Sequence, residues 1–595
     1  MGLLQCACET YDKHAQYIGQ YDEGKEPLAP IAHIVTAAQL EIVINGNGEF
    51  IQALTVDKRE PKIIIPVTEE SAGRTSAPIA HPLCEQIQYL TNAFPEKYSL
   101  YVDQLEEWAA SDYSHPMVRA VLKYVRQGTI IDDLVKEGCI QLKEDGTPKD
   151  PKLMVRWRID GIGDESGGCW KNRHLFECYS SYALERHKEE KKGFCMVTGE
   201  VLPVASQHPK GIVPLFGNAK LISANDSSGF TYRGRFSEEW QAETVSYEAS
   251  QKAHAALKWL AANQGIYMGG RMFLCWSPDG VELPNPTASI AARRYGQTFD
   301  AIVNASDFRS MLSDTLSGWK ASLPDASSKA VIAVFDAATT GRLSVAYFRE
   351  LAASDFEERL YDWDLHCAWF NGKFGIRSPS LLDIVNCAYG TEKTEKNVER
   401  ISADDRVIRQ QMQNLLSCRV DKRKIPIDLK NYLVERASSP QKYHNNSNYL
   451  KVLHVACAVI CKYRYDYYRE EISMALEANN KDRSYQFGRL LAVMEKIERD
   501  TFGKDETREP NAIRLQSVFC QRPLLISNQL QSVMDRAYLP RIKPEARSYY
   551  RKLLGEIINV ISENDPAEIN KPLTEMYLIG YYLQRNALYT KKEEK

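Results

Sequence analysis

The spacing of apolar residues changes character along the chain. Over the first twenty residues Leu3, Leu4, Cys8, Tyr11 and Ala15 recur close to helical spacing, which predicts a helix. Residues 31–56 alternate instead. Two runs rich in Ile, Val and Leu flank Asn45-Gly46-Asn47-Gly48, the signature of a hairpin turn. Ile63-Ile64-Ile65 makes a further short strand, stopped by Pro66. A polar loop follows over 69–78, then a helix carrying Leu83, Ile87 and Leu90, and residues 95–140 read as mostly helical. Residues 153–160 alternate like a strand. From 191 to 235 Gly, Ser and Pro punctuate short segments, the composition of loops and strand ends. A helix over 244–263, a strand over 271–277, a helix over 299–323 and a strand pair over 329–337 and 342–348 complete this part.

Beyond about 350 the strands stop in this reading. Amphipathic helices are predicted at 380–390, 402–417, 427–437, 447–478, 484–500, 526–537, 544–563 and 572–588. The expected fold class is α+β: a mixed α/β region over 1–350, a helical connection over 351–400, and an all-α helical bundle over 401–595.

Composition narrows the classes. At 595 residues the chain is too long for one core, and 44% hydrophobic with 26% charged residues excludes disordered, collagen-like and low-complexity proteins. No run of 18 apolar residues occurs, and the first residues lack the basic and apolar regions of a signal peptide. Cys6 stands where myristoylation wants Ser or Thr. A cytoplasmic chain with no membrane partner is expected. The 14 cysteines include no Cys-x-x-Cys and read as free thiols, mostly buried.

The net charge of −3 hides an asymmetry. Residues 401–595 hold 33 basic against 25 acidic residues, a net of +8, which leaves −11 for residues 1–400. A polyanion meeting the C-terminal part would explain this, and so would solvated helix faces that favour Lys and Arg.

Motifs for chemistry are missing. No P-loop, Gly-x-Ser-x-Gly elbow or His-Glu-x-x-His is present, and Gly161-x-Gly163 reads as a turn rather than a dinucleotide fingerprint. No catalytic residue, metal or cofactor is therefore assigned. His454, Cys457 and Cys461 share a helical face, but a fourth zinc ligand is not evident, and Leu453 and Ile460 beside them favour core packing. Basic residues interleaved with aromatics are more promising. Lys462-Tyr463-Arg464-Tyr465-Asp466-Tyr467-Tyr468-Arg469 could set cations on phosphates and rings on unpaired bases. The alternative packs the tyrosines between helices and leaves the cations in water. Lys422-Arg423-Lys424 reads as a weak phosphate candidate or a solvated linker, and Arg74, alone among small residues at 71–78, as a loop able to approach a nucleic-acid backbone or enter a minor groove, or as a plain surface turn.

Several stretches, in order, resemble a known family. These are the hairpin with Lys58-Arg59-Glu60, the Ile-Pro-Val strand with Gly73-Arg74-Thr75-Ser76, Cys195-Met-Val-Thr198-Gly199-Glu200, His208-Pro209-Lys210-Gly211, and Lys220-Leu221-Ile222-Ser223-Ala224-Asn225. Gly341-Arg342-Leu343-Ser344-Val345 follows. Tyr485-x-x-Gly488-Arg489-Leu490 and Ile579-Gly580-Tyr581-Tyr582-Leu583-Gln584-Arg585 are the closest matches. Over nearly its whole length the chain resembles the large subunit of the type I-C (Dvulg-subtype) CRISPR Cascade complex.

The resemblance implies a non-catalytic subunit of an RNA-guided surveillance complex. Such a subunit reads a protospacer-adjacent motif (PAM) in double-stranded DNA, helps unwind it, stabilises the R-loop and recruits the helicase–nuclease. The implied partners are CRISPR RNA, target duplex and displaced strand, and the Cascade backbone and handle-binding subunits. A small subunit, started internally at Met474, would add 122 residues of net charge +3. The implied DNA contacts are Lys58, Arg59, Arg74, Thr75 and Ser76 for the motif duplex, and Lys210, Gly211 and Asn225 for duplex or guide handle. Lys462, Arg464, Arg469, Arg483, Arg489 and Arg585 would bind displaced-strand phosphates. A metal-dependent nuclease or RNA-processing enzyme, or a pure scaffold of a ribonucleoprotein, are the other readings.

Overall fold

The strand Leu40–Asn45 is buried over its first five residues because it lies inside a three-stranded sheet. It pairs antiparallel with Phe50–Thr55 and parallel with Val155–Asp160. The predicted turn joins the first pair. Gly48 sits there at φ +81°, and any Cβ would strike the backbone of Ala120 and the side chain of Lys123. Parallel register sets Glu41 beside Arg156, and the buried carboxylate accepts from Nε of Arg156 (2.8 Å) and of Arg158 (2.6 Å). Trp108, Trp157, Tyr101 and Tyr124 fill the core beside this sheet.

The computed structural model describes residues 1–57, 59, 62–74, 77–162, 167–223, 236–290, 302–325, 327–339, 341–395, 398–503, 506 and 508–589. The chain divides into two compact units. The first holds Met1–Leu283 and Ser327–Ala352, the second Pro284–Ala326 and Ala353–Lys595.

A second sheet in the first unit runs Arg342–Ala352, Lys329–Thr339, Arg271–Trp276 and Ile266–Met268, all antiparallel. The helices Leu3–Lys13 and Tyr247–Gln264 share a core with it through Cys6, Leu257, Leu260, Met272 and Phe335. The polar loop expected over 69–78 opens with a short helix, Glu69–Gly73. Thr68 caps it, its Oγ1 accepting from the Ser71 N–H at 3.1 Å.

In the second unit Arg419 and Asp364 are both fully buried and paired at 2.8 Å. Arg419 also donates to the carbonyls of Pro286 and Ala288. Asp364 accepts from Ser289, Ile290 and Ser378. This node ties 286–290 into the helical unit, although the sequence reading assigns those residues to the mixed part. The α+β class holds, with two corrections. Strands do not stop at 350: Trp369–Phe370 pairs with Ile376–Arg377, and Thr391–Glu395 with Val398–Ser402. The helix predicted over 447–478 is Asn446–Tyr468. It ends where Arg469 turns left-handed (φ +56°), and residues 470–482 hold no helix.

Candidate nucleic-acid interface

Of the residues singled out in the first unit, Lys58, Thr75, Ser76 and Asn225 lie outside the described residues. Arg59 is solvent-exposed, with its Nε 4.0 Å from the Asp57 carboxylate. Arg74 is not free. Its guanidinium forks onto the buried carboxylate of Glu85, with Nη2 at 2.8 Å from Oε1, donates to the Ile79 carbonyl, and lies over the Tyr89 ring. Burial of Glu85 explains the arrangement, since an unpaired carboxylate there would be costly.

Lys210 comes to the same place from another loop. Its Nζ donates to the backbone carbonyls of Gly73 (3.3 Å) and Arg74 (3.2 Å). Gly211 takes φ +67°, and its N–H bonds the Ala219 carbonyl. That places Lys220 opposite Lys210 in a bridge. The two loops separated by more than a hundred residues thus form one basic turn. Lys210, Lys220 and Lys258 have no carboxylate within ion-pair distance among the described residues. Burial, then a cationic neighbour, lowers the pKa of each: Arg74 acts on Lys210, and Lys210 acts on Lys220 and Lys258. Glu69, whose charge favours the Lys220 ammonium, is turned to Ser206. Sequence reasoning missed Lys220 and Lys258. Lys220 opens a stretch already noted, whereas Lys258 carries no signal beyond one helical face.

In the second unit most of the predicted cations serve the fold. Lys462 is buried against Asp466 (2.9 Å). Arg464 pairs with Glu575 (3.1 Å), and Arg585 lies 3.6 Å from Glu495. Arg483 donates to the carbonyls of Ile569, Lys571 and Pro572. Arg489 is buried on Gln584, Gln486 and the Ala478 carbonyl. These intramolecular partners were not legible beforehand, because sequence shows a cation but not the carbonyl or carboxylate that meets it in three dimensions. Arg469 is different. It is exposed, stacks on Tyr465, and makes no ion pair among the described residues. Beside the same helix end lies the run Lys422-Arg423-Lys424, also exposed. Lys424 sits over the Tyr467 ring at 4.6 Å, and the Ile425 N–H donates to Asp466.

Two other clusters are buried. Ser250, His208 and Glu243 are linked as a hydrolytic triad would be, at 2.8 and 2.9 Å, but Ser250 is 0% exposed and no substrate carbonyl can reach it. His454, Cys457 and Cys461 sit in the core. His454 donates from Nδ1 to the Phe370 carbonyl, burial holds its pKa at about 4, and burial raises both thiols.

A family model described as CRISPR-associated protein (Cas_Csd1) matches residues 9–589. The chain belongs to this CRISPR-associated family, that of the type I-C Cascade large subunit. No curated protein matches it. Among the described residues, no helix is long and apolar enough to cross a membrane.

Proposed function

We propose that this chain is the non-catalytic subunit through which an RNA-guided Cascade complex reads the protospacer-adjacent motif and holds the opened duplex. The observation that carries the reading is Lys210 bonded to the Gly73 and Arg74 carbonyls, which joins two loops into a turn where neither Lys210 nor Lys220 has a carboxylate within ion-pair distance among the described residues. Lys210 and Lys220 neutralise duplex phosphates there, with Arg59 and the loop residues Lys58, Thr75, Ser76 and Asn225 as further contacts. Arg74 acts by shaping the loop from its seat on Glu85. In the second unit Arg469 and Lys422-Arg423-Lys424 meet the displaced strand. The helicase–nuclease, the guide RNA and a small subunit started at Met474 are its partners.

The test is a complex reconstituted with Lys210→Ala/Lys220→Ala and supercoiled target DNA. Two lost phosphate contacts should weaken binding about tenfold or more and reduce its salt dependence, with the preferred motif unchanged. Unchanged affinity would leave the scaffold reading. Metal-dependent turnover of DNA or RNA by the isolated chain would favour the nuclease reading instead.

A further inference from the structure

The helix Tyr247–Gln264 places Gln251, Ala255, Lys258 and Ala262 along one side, at i, i+4, i+7 and i+11. That side walls a cavity of about 410 Å3 in the first unit. The 209–218 loop and the strand His33–Ala37 supply the facing walls, and the alanines leave the room. The size falls at the lower end of small-molecule sites, far too small for a duplex.

The charges around this cavity do not balance. Lys258 is half-buried and has no hydrogen-bond or ion-pair partner among the described residues. Lys210 also lines the cavity and, among the described residues, is held by the backbone carbonyls of Gly73 and Arg74. Glu26, the wall's carboxylate, is engaged by Lys62. His33 is neutral, its pKa held at about 4 by burial. Burial, with Lys210 nearby, pushes Lys258 down to about 8. A half-buried cation with no counter-ion at ion-pair distance among the described residues costs stability, and an entering anion removes that cost. The side-chain amides of Gln251 and Asn218 line the same space with no protein partner among the described residues.

We propose that this cavity is a binding site for a phosphate monoester of mononucleotide size. Lys258 and Lys210 hold the phosphate, Gln251 and Asn218 bond the sugar or base, and Trp259 is the apolar wall. The phosphate comes from a free nucleotide or from the 5′ end of a nucleic-acid strand. Lys258 takes no part in the duplex contact proposed above, so the two readings can fail separately.

Calorimetry on the full chain tests it, with dAMP, deoxyadenosine, and short oligonucleotides bearing a 5′-phosphate or a 5′-hydroxyl. dAMP should bind and deoxyadenosine should not. Lys258→Met should weaken dAMP at least about tenfold, the loss of one charge-assisted contact. Gln251→Leu should weaken it less. Tighter binding of the 5′-phosphorylated oligonucleotide than of dAMP assigns the source to a strand end, and the reverse assigns it to a free nucleotide. dAMP binding no better than deoxyadenosine in the wild-type chain, a result that needs no variant to fold, overturns the proposal. So does equal dAMP binding by a folded Lys258→Met chain. If Lys258→Met loses dAMP while Lys210→Ala/Lys220→Ala keeps full duplex affinity, the cavity stands and the duplex reading falls.

Discussion

Gly488 lies against the backbone of Tyr577 and Tyr581, and Gly580 lies against that of Tyr485, so the helices Arg483–Arg499 and Met576–Tyr589 cross backbone to backbone. Around the crossing Arg489 donates to Gln584 (2.9 Å), and the Tyr581 hydroxyl donates to Glu495 (2.6 Å). A methyl at either glycine has no space. Gly488→Ala should cost about 3 kcal/mol or more, as overpacking of backbone does, read from thermal unfolding of the full chain. A loss below 1 kcal/mol would show that the helices can slide apart freely.

Breaking the Arg419–Asp364 node should be expensive in a different way. Arg419→Met leaves Asp364 buried without its counter-charge, a loss of about 3–5 kcal/mol. Arg419→Met/Asp364→Leu should recover much of it, because no unpaired charge then remains at the node. Denaturant midpoints of the single and double variants decide the matter.

Glu357 is buried, and neither carboxylate oxygen has a hydrogen-bond partner among the described residues. Burial raises its pKa to about 7, so the folded chain favours the protonated form, and stability is lost as pH rises from the ordinary carboxylate range through 7. Glu357→Gln should therefore stabilise the chain at pH 8 by about 1–3 kcal/mol and change little at pH 4.5. Melting temperatures at both pH values are the measurement.

Acid should act through buried histidines. Burial lowers His33 and His454 to about 4 and His81 and His254 to about 3. Each is neutral in the fold and takes up a proton on unfolding below its ordinary value of about 6.5. Stability should be complete above that value and fall by about 1.4 kcal/mol per pH unit per histidine toward pH 4. His454→Asn should flatten the slope by one group's share in urea titrations between pH 7 and 5.

Much of the fold was legible because its signals are local. The Asn45–Gly48 turn, the strand run at Ile63 and the helix faces of the C-terminal half depend on neighbours in sequence, and the structure places elements there. The short strand pairs at 369–377 and 391–402 were not legible, since two-residue and five-residue strands between helices carry too little periodicity. The candidate site was legible only in part. Lys210 and the Gly73-Arg74 turn belong to matched motifs, but their meeting is a long-range fact. Arg489 is buried and Arg585 is half-buried beside Glu495, and sequence records charge but not such surroundings. Gly488 and Gly580, noted in sequence only as parts of matched motifs, make a close helix crossing that no local pattern announces.

Arg469 closes one helix, and the next begins only at Arg483, so Met474 stands in a stretch that carries no helix. A chain begun at Met474 severs no helix and keeps the glycine crossing that clasps its first and last long helices. If the proposed start at Met474 is used, one reading frame yields both the longer polypeptide and a detached copy of its final helices without any further coding length.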